Sequence, residues 1–362
     1  MGVWLLAVGR PEVTDDAEMS PSLTTSAAGR AYDFNRVVGG REIVYSANLA
    51  FGQDDDVYVV AKTLAALRIV SGDVLRLKIG AEPDDEEFIV SFREVNPGFF
   101  DESSLATVAV SPELDVYVTD ELRSFISVFD RDGKFMRNIG EPGTGPGQFD
   151  RPSGIVFAED GSMFVSDAMN HRVQHLTADG EFIDAFGSQG TDPGQLRAPW
   201  GLGLDNDGNV LVADHKNHRI QKFDSDGNYL SAIGGQNSTP SSRAGEFDHP
   251  SDVAVDPDGD IYVCDWANHR VQVFDESGEY LLQMGGSAVE LSKWQKRYLQ
   301  ANPDSEKARR RVPTLDPETK FELPTGVKYE AARNRLLVIE SQRWRIQIFD
   351  KVKDYAEPQY NL

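Results

Sequence analysis

The sequence holds one cysteine, Cys264, among 362 residues, which excludes an intrachain disulfide framework and a cysteine-paired metal site and leans the expected localisation towards the cytoplasm. Basic residues are scarce as well: 36 Lys and Arg stand against 59 Asp and Glu, a formal net charge of -23. A field of that sign opposes approach to nucleic acid or to an anionic bilayer, so neither is expected as a partner. No run reaches the roughly 18 apolar residues that a spanning helix needs. The short apolar start MGVWLLAVGR has no basic lead and no cleavage site, so neither a signal peptide nor a membrane span is expected. Also missing are a GxSxG elbow, an HExxH pair and a Gly-rich phosphate or dinucleotide loop ahead of a helix. Covalent serine catalysis therefore has no motif, and no nucleotide cofactor is expected.

What the chain does have is internal repetition. GIVFAEDGSMFVSDAMNHRVQHLTADGEFIDAFG starts at Gly154, GLGLDNDGNVLVADHKNHRIQKFDSDGNYLSAIG at Gly201 and DVAVDPDGDIYVCDWANHRVQVFDESGEYLLQMG at Asp252. Their aligned aspartates Asp167, Asp214 and Asp265 are 47 and 51 residues apart, the period of a propeller blade. A weaker copy places Asp120 one 47-residue step before Asp167. Two more carry Ala61 and Glu340 at that position, giving six units. Within each unit, runs of Val, Ile, Tyr and Phe predict four short strands, and Asp-Gly and Ser-Gly pairs predict the positive-φ turns between them. The expected fold is all-β, a six-bladed β-propeller with four-stranded blades spanning residues 31–350. The last unit runs out at Asp350 in a poor fourth strand, and YDFNRVVGG near residues 31–40 resembles the missing one, so the N-terminal side is expected to complete the last blade and close the ring. Residues 1–30 read as an arm or loop and 351–362 as a tail.

The pattern of hydrophobic strand, DG turn, VxD, then NHR followed by VQxF or IQxF resembles the NHL repeat, with Arg172, Arg219 and Arg270 in place of its Leu. The resemblance implies the propeller architecture. It also implies a range of roles: peptide-amidating lyases, lactone-hydrolysing and other small-molecule enzymes, sensor domains, and protein- or RNA-binding modules. The first-strand histidine of the amidating lyases is not reproduced here.

In such a blade, the segment entering the first strand and the loop between the second and third strands meet at one end of the ring, so that end gathers residues from every unit. The entry segments FDRPSG, LRAPWG, FDHPSD and ELPTG place Arg151, Trp200, His249 and Thr325 beside a proline. A different residue in each unit suits a ligand-facing position or loops of unequal length. The repeated Asp, Asn, His and Arg of the second loops recur too regularly for one catalytic centre and read as structure: carboxylate caps, Asn turn bonds and Arg pairing. The position after the aspartate varies, as Glu121, Ala168, His215 and Trp266.

These features predict a small-molecule lyase or hydrolase with its pocket at the channel mouth. His215 or His249 would be the acid-base group and Arg151 an anion or oxyanion clamp. Trp200 and Trp266 would be walls, and Arg343 a further contact for an anionic or carboxylate-bearing substrate. A divalent metal, zinc or calcium, would need ligands assembled across blades, for instance His215 and His249 with a carboxylate. The basic insertion at 287–320, with VELSKWQKRYLQ predicted as an amphipathic helix, reads as a lid over the mouth or as a structural element that docks elsewhere. The alternative to an enzyme is a noncatalytic propeller scaffold that binds a protein partner. Cys264 is expected to be buried in its strand.

Overall fold

The computed structural model describes residues 24–39, 43, 45–65, 68–82, 85–235, 238–286, 292–302 and 321–353. Six antiparallel sheets follow one another along the chain, spanning 48–91, 105–139, 152–186, 202–234 and 250–284, with the sixth built from 324–351 and 30–39. They form the six-bladed all-β propeller that the repeat predicts.

The fifth blade shows how sequence makes structure. Its second strand, Ile261–Asp265, is buried along its whole length, as expected for a β-branched and aromatic run covered by a neighbouring blade on each face. The strand before it ends in a tight turn in which Asp256 accepts from the amides of Asp258 and Asp260 through Oδ1, and Gly259 takes φ 85°, a conformation costly for any residue with a Cβ. Cys264 is fully buried, as expected, and burial pushes its thiol well above the ordinary range.

Six hydrophobic clusters fill the ring, one at each junction between neighbouring blades. Each fully buried Val, Leu, Ile or Phe in them contributes about 1.5–3 kcal/mol relative to exposure. The inner strands approach closely: a Cβ on Gly154 would stand 2.3 Å from the Trp200 carbonyl oxygen of the next blade.

Closure is as read from the sequence. Strand Arg30–Gly39 pairs antiparallel with Arg345–Lys351, from Tyr32 opposite Lys351 to Gly39 opposite Arg345. The four-stranded expectation needs one correction. Thr24–Ala27, in the segment read as an arm or loop, pairs with Arg30–Asp33 as a fifth strand of the sixth blade. Polar, small side chains on that edge gave no periodic signal, and the two-residue turn Ala28–Gly29, both with positive φ, folds them back.

Of the 287–320 insertion, only 292–302 are described. Lys293–Ala301 is helical, and Trp294 buries its ring with Val38 and Ile43 at the junction of the sixth and first blades. The remainder of the insertion, the N-terminal apolar stretch and residues 354–362 lie outside the described residues. Among the described residues, no helix is long and apolar enough to cross a membrane.

Candidate functional site

The repeated residues build the frame of the mouth. In the fourth blade, Asp214 is fully buried; its Oδ1 accepts the amide of Arg197 at 2.7 Å, and its Oδ2 accepts from Asn217, Arg219 Nε and Gln221 at 2.8, 2.8 and 3.1 Å. Asp167 and Asp265 repeat this set with Asp150, Asn170, Arg172 and Gln174, and with Asp248, Asn268, Arg270 and Gln272. Glu340 takes the part in the sixth blade, accepting from Arg345, Gln347 and the amide of Glu322. A carboxylate inside the loop thus ties the entry segment, the loop and the third strand together. The arginines hold the connection from the preceding blade, Arg172 donating to the carbonyls of Gly145 and Gln148.

The entry positions beside the prolines fall into two registers rather than one. Arg151, Ala198, His249 and Leu323 precede the proline and share a left-handed φ of 51–56°. Ser153, Trp200, Ser251 and Thr325 follow it and line an axial cavity of about 110 Å³. The NHR histidines latch the first register. His171, His218 and His269 accept, through Nδ1, the amides of Ala198, His249 and Leu323 at 3.1, 3.1 and 3.2 Å. In the second blade, Ser124 Oγ does the same for Arg151 at 3.3 Å.

Between the fourth and fifth blades, four of the expected site residues come together. Trp200 stacks on His215 at 3.8 Å and 19°. His249 lies 4.8 Å from His215, and Trp266 lies 6.2–6.4 Å from His215, Trp200 and His249, all between ring centroids. His215 is buried, and its Nδ1 faces the Pro250 carbonyl oxygen at 3.1 Å. A carbonyl can only accept, so Nδ1 carries the proton and Nε2 keeps its lone pair. Burial, reinforced by His249 and Lys216 against the pull of the Pro250 carbonyl, pushes its pKa down to about 3, so the ring is neutral near pH 7. His249 is more open, and its Nδ1 meets Asp248 Oδ1 at 2.6 Å. A carboxylate there orients the ring.

Arg151 and Arg343 stand at other junctions. Arg151 sits against the second blade's loop, exposed, and Arg343 pairs with Glu322 at 3.3 Å. The sequence reading passed over Asp248, which is invisible as a motif because Asp150 holds the same place in the third blade and differs only in what its side chain meets. It also read His218 as a frame residue. That role holds, yet His218 is part of a second grouping as well.

His218, Asp248 and His249 offer ligand atoms within 4.8 Å of one another. Two imidazoles and a carboxylate form a donor set able to hold a metal ion, one that suits zinc better than the all-oxygen preference of calcium. The 3.6 Å from His218 Nδ1 to Asp248 Oδ1 is close to the span of two ligands on one tetrahedral ion, about 3.4 Å from ordinary bond lengths. The His249–Asp248 hydrogen bond would have to open for all three to coordinate, and His218 would have to release the His249 amide to bind through Nδ1.

A larger cavity, about 530 Å³, opens at the opposite end between the third and fourth blades. His175 is there, stacked on Phe164 and bonded to Ser162 Oγ at 2.7 Å. It lies among strand turns, away from every entry segment and second-loop residue of the mouth.

Comparison with known proteins agrees with this architecture. The NHL repeat family matches residues 196–223 and 247–274, and a family described as 6-bladed beta-propeller matches 108–186. The B-box type zinc finger protein ncl-1 of Caenorhabditis elegans is 54% identical over 39 residues, which are 11% of this chain and 5% of that protein. The chain thus matches only a small fraction of that relative's length. A gluconolactonase from Xanthomonas campestris superposes with a TM-score of 0.57 at 15% identity, covering 93% of this chain and 96% of the other. Virginiamycin B lyase from Staphylococcus aureus does so with a TM-score of 0.53 at 11% identity, covering 89% and 100%. At these identities the likeness is one of fold. With its NHR loops and its six sheets, the chain carries NHL repeats within a six-bladed β-propeller fold.

Proposed function

We propose that the protein is a small-molecule lyase or hydrolase whose pocket is the channel mouth at the junction of the fourth and fifth blades. One observation carries the reading: His249, oriented by Asp248 at 2.6 Å, faces the neutral His215 between the two tryptophans. Asp248 accepts a hydrogen bond from the Nδ1–H of His249 and leaves Nε2 to remove or return a proton. His215, with its pKa driven down to about 3, is too weak a base for that task near neutral pH, and acts as a positioned neutral ring. Trp200 and Trp266 wall off water and hold an apolar part of the substrate. Arg151 and Arg343 are the outer cations that meet an anionic substrate on approach. A divalent metal held by His218, Asp248 and His249, zinc in preference to calcium, would instead supply Lewis-acid polarisation at the same place, in exchange for proton transfer by His249. The gluconolactonase and lyase activities of the structural neighbours set the classes to try first.

The test is turnover of a panel of small lactones, cyclic esters and carboxylate-bearing esters by the purified chain. His249→Ala is expected to lower kcat by about 100-fold or more, and His215→Asn to change KM more than kcat. Turnover unaffected by His249→Ala, or no turnover by the wild type, overturns the reading.

A second reading rests on a different feature. Phe182, Ile183, Tyr229 and Leu230, on the outer strands of the third and fourth blades, are 38–48% exposed, a feature suited to a noncatalytic scaffold that binds a protein. A wild type inactive on the whole panel, together with a partner lost on Ile183→Asp and Leu230→Asp, would favour that reading.

A further inference from the structure

Strand register reveals a ring that the first blade hides. Val57, Val116, Met163, Val210, Ile261 and Leu336 hold equivalent places opposite the inner strands. Four residues on come Ala61, Asp120, Asp167, Asp214, Asp265 and Glu340. The residues after these anchors are Lys62, Glu121, Ala168, His215, Trp266 and Ser341, one per blade around the mouth. His215 and Trp266 form its aromatic side. Lys62 and Glu121 lie on adjacent blades and line the same axial cavity as Trp200.

The polar capacity of that cavity is almost entirely used by the frame. Ser153 Oγ donates to the Pro199 carbonyl, Ser251 Oγ to that of Pro324 and Thr325 Oγ1 to that of Ser46, each reaching the next blade. Asn48 donates to Asp252 and accepts the amide of Leu49. The two charges are the least satisfied of its ionised groups. Among the described residues, the Lys62 ammonium makes no hydrogen bond; its partner is Glu121, with Nζ–Oε2 at 4.0 Å and the Lys62 side chain only 18% exposed. Glu121 accepts a long bond from Ser104 Oγ at 3.4 Å. A half-buried ammonium with three donors to place, and a carboxylate beside it with acceptor sites to spare, are costly unless a third group completes them.

We propose that Lys62 and Glu121 receive the head group of the substrate, and that this head group is a carboxylate with a hydrogen-bond donor on the neighbouring carbon, a 2-hydroxy or 2-amino carboxylate. The proposal rests on the reading of the mouth as a substrate site. The carboxylate lies on Lys62 and the donor on Glu121, converting a long ion pair into two charge-assisted hydrogen bonds. The cavity of about 110 Å³ equals the share of only about four waters in the liquid, so it takes the head group and leaves the rest of the molecule against Trp200 and Trp266.

The test is equilibrium binding to the full chain, by calorimetry and tryptophan fluorescence, of four probes: 3-phenyllactate, phenylalanine, 3-phenylpropionate without the donor, and 2-phenylethanol without the carboxylate. At least one of the first two is expected to bind about tenfold or more tighter than both of the last, the worth of one charge-assisted hydrogen bond. Which of the two binds tells a hydroxyl from an amine. Lys62→Met is expected to remove the preference for the carboxylate while Lys62→Arg keeps it, and Glu121→Gln to weaken discrimination against 3-phenylpropionate. Equal affinities, no binding of any probe at millimolar concentration, or loss in Lys62→Arg equal to that in Lys62→Met overturns the proposal. Only binding is read, so a failed turnover assay and a failed head-group site appear as separate results.

Discussion

Across the junction of the fourth and fifth blades, Nδ1 of His218 accepts the backbone N–H of His249 at 3.1 Å. The same bond recurs from His171 to Ala198 and from His269 to Leu323. The repeated NHR histidine, read from the sequence as structure, is thus a latch, and only at one junction does the latched residue carry an imidazole of its own. His171→Ala and His218→Ala should each cost about 1–3 kcal/mol, the cost of an amide left without its acceptor, measured by urea unfolding. Only His218→Ala should also lower turnover, because only there does the latch position His249. Equal effects of both on turnover would refute the distinction.

Asp214 holds the fourth blade's loop together, since one buried carboxylate accepts from a backbone amide, the side-chain amides of Asn217 and Gln221 and the Arg219 guanidinium. Asp214→Ala leaves Arg219 buried without its counter-charge, and is expected to destabilise the fold by about 3–5 kcal/mol. Asp214→Asn keeps the size of the side chain but turns one acceptor into a donor facing donors, so it should recover less than half of that loss. Chemical denaturation of both variants checks the order.

His215 makes stability depend on pH in a defined direction. Its folded pKa is pushed down to about 3 from an ordinary 6.5, so between these values the unfolded chain binds a proton that the folded chain refuses. The stabilisation is complete above pH 6.5 and is lost as pH falls towards 3, by up to about 1.4 kcal/mol per unit. His215→Phe, which keeps a ring against Trp200, should flatten this part of the pH profile of Tm relative to wild type. An unchanged slope would show that His215 is not held neutral.

The fold was legible because the constraint repeats. The 47-residue spacing of Asp120, Asp167 and Asp214 reports a buried carboxylate that five of the six blades place at one point, and YDFNRVVGG kept enough of the fourth-strand pattern to be matched with the last blade. Part of the site was legible for the opposite reason: Trp200, His215, His249 and Trp266 break the repeat at positions the frame does not need, and they meet. Lys62 was hidden because Ala61 replaces the anchoring aspartate, which removed the landmark from which its place could be counted. Asp248 was hidden because its importance lies in a 2.6 Å contact with its own neighbour, a matter of side-chain direction that spacing does not carry.

Ring closure depends on charge as well as on strand pairing. Lys351, at the end of the third strand of the sixth blade, places its ammonium among Asp256, Asp258 and Asp260 in the turn of the fifth blade, 2.8 Å from Asp258 and 2.9 Å from Asp260. Arg30, at the start of the closing strand, adds a second cation to Asp260 at 2.6 Å. Asp256 and Asp260 are almost fully buried, so Lys351→Met removes a partner without returning the carboxylates to water. The expected cost is about 3–5 kcal/mol near neutral pH. Urea unfolding of wild type and Lys351→Met reads this directly: a loss of that size supports closure by buried charge, and an unchanged stability would mean that Lys351 acts through the packing of its aliphatic stem alone.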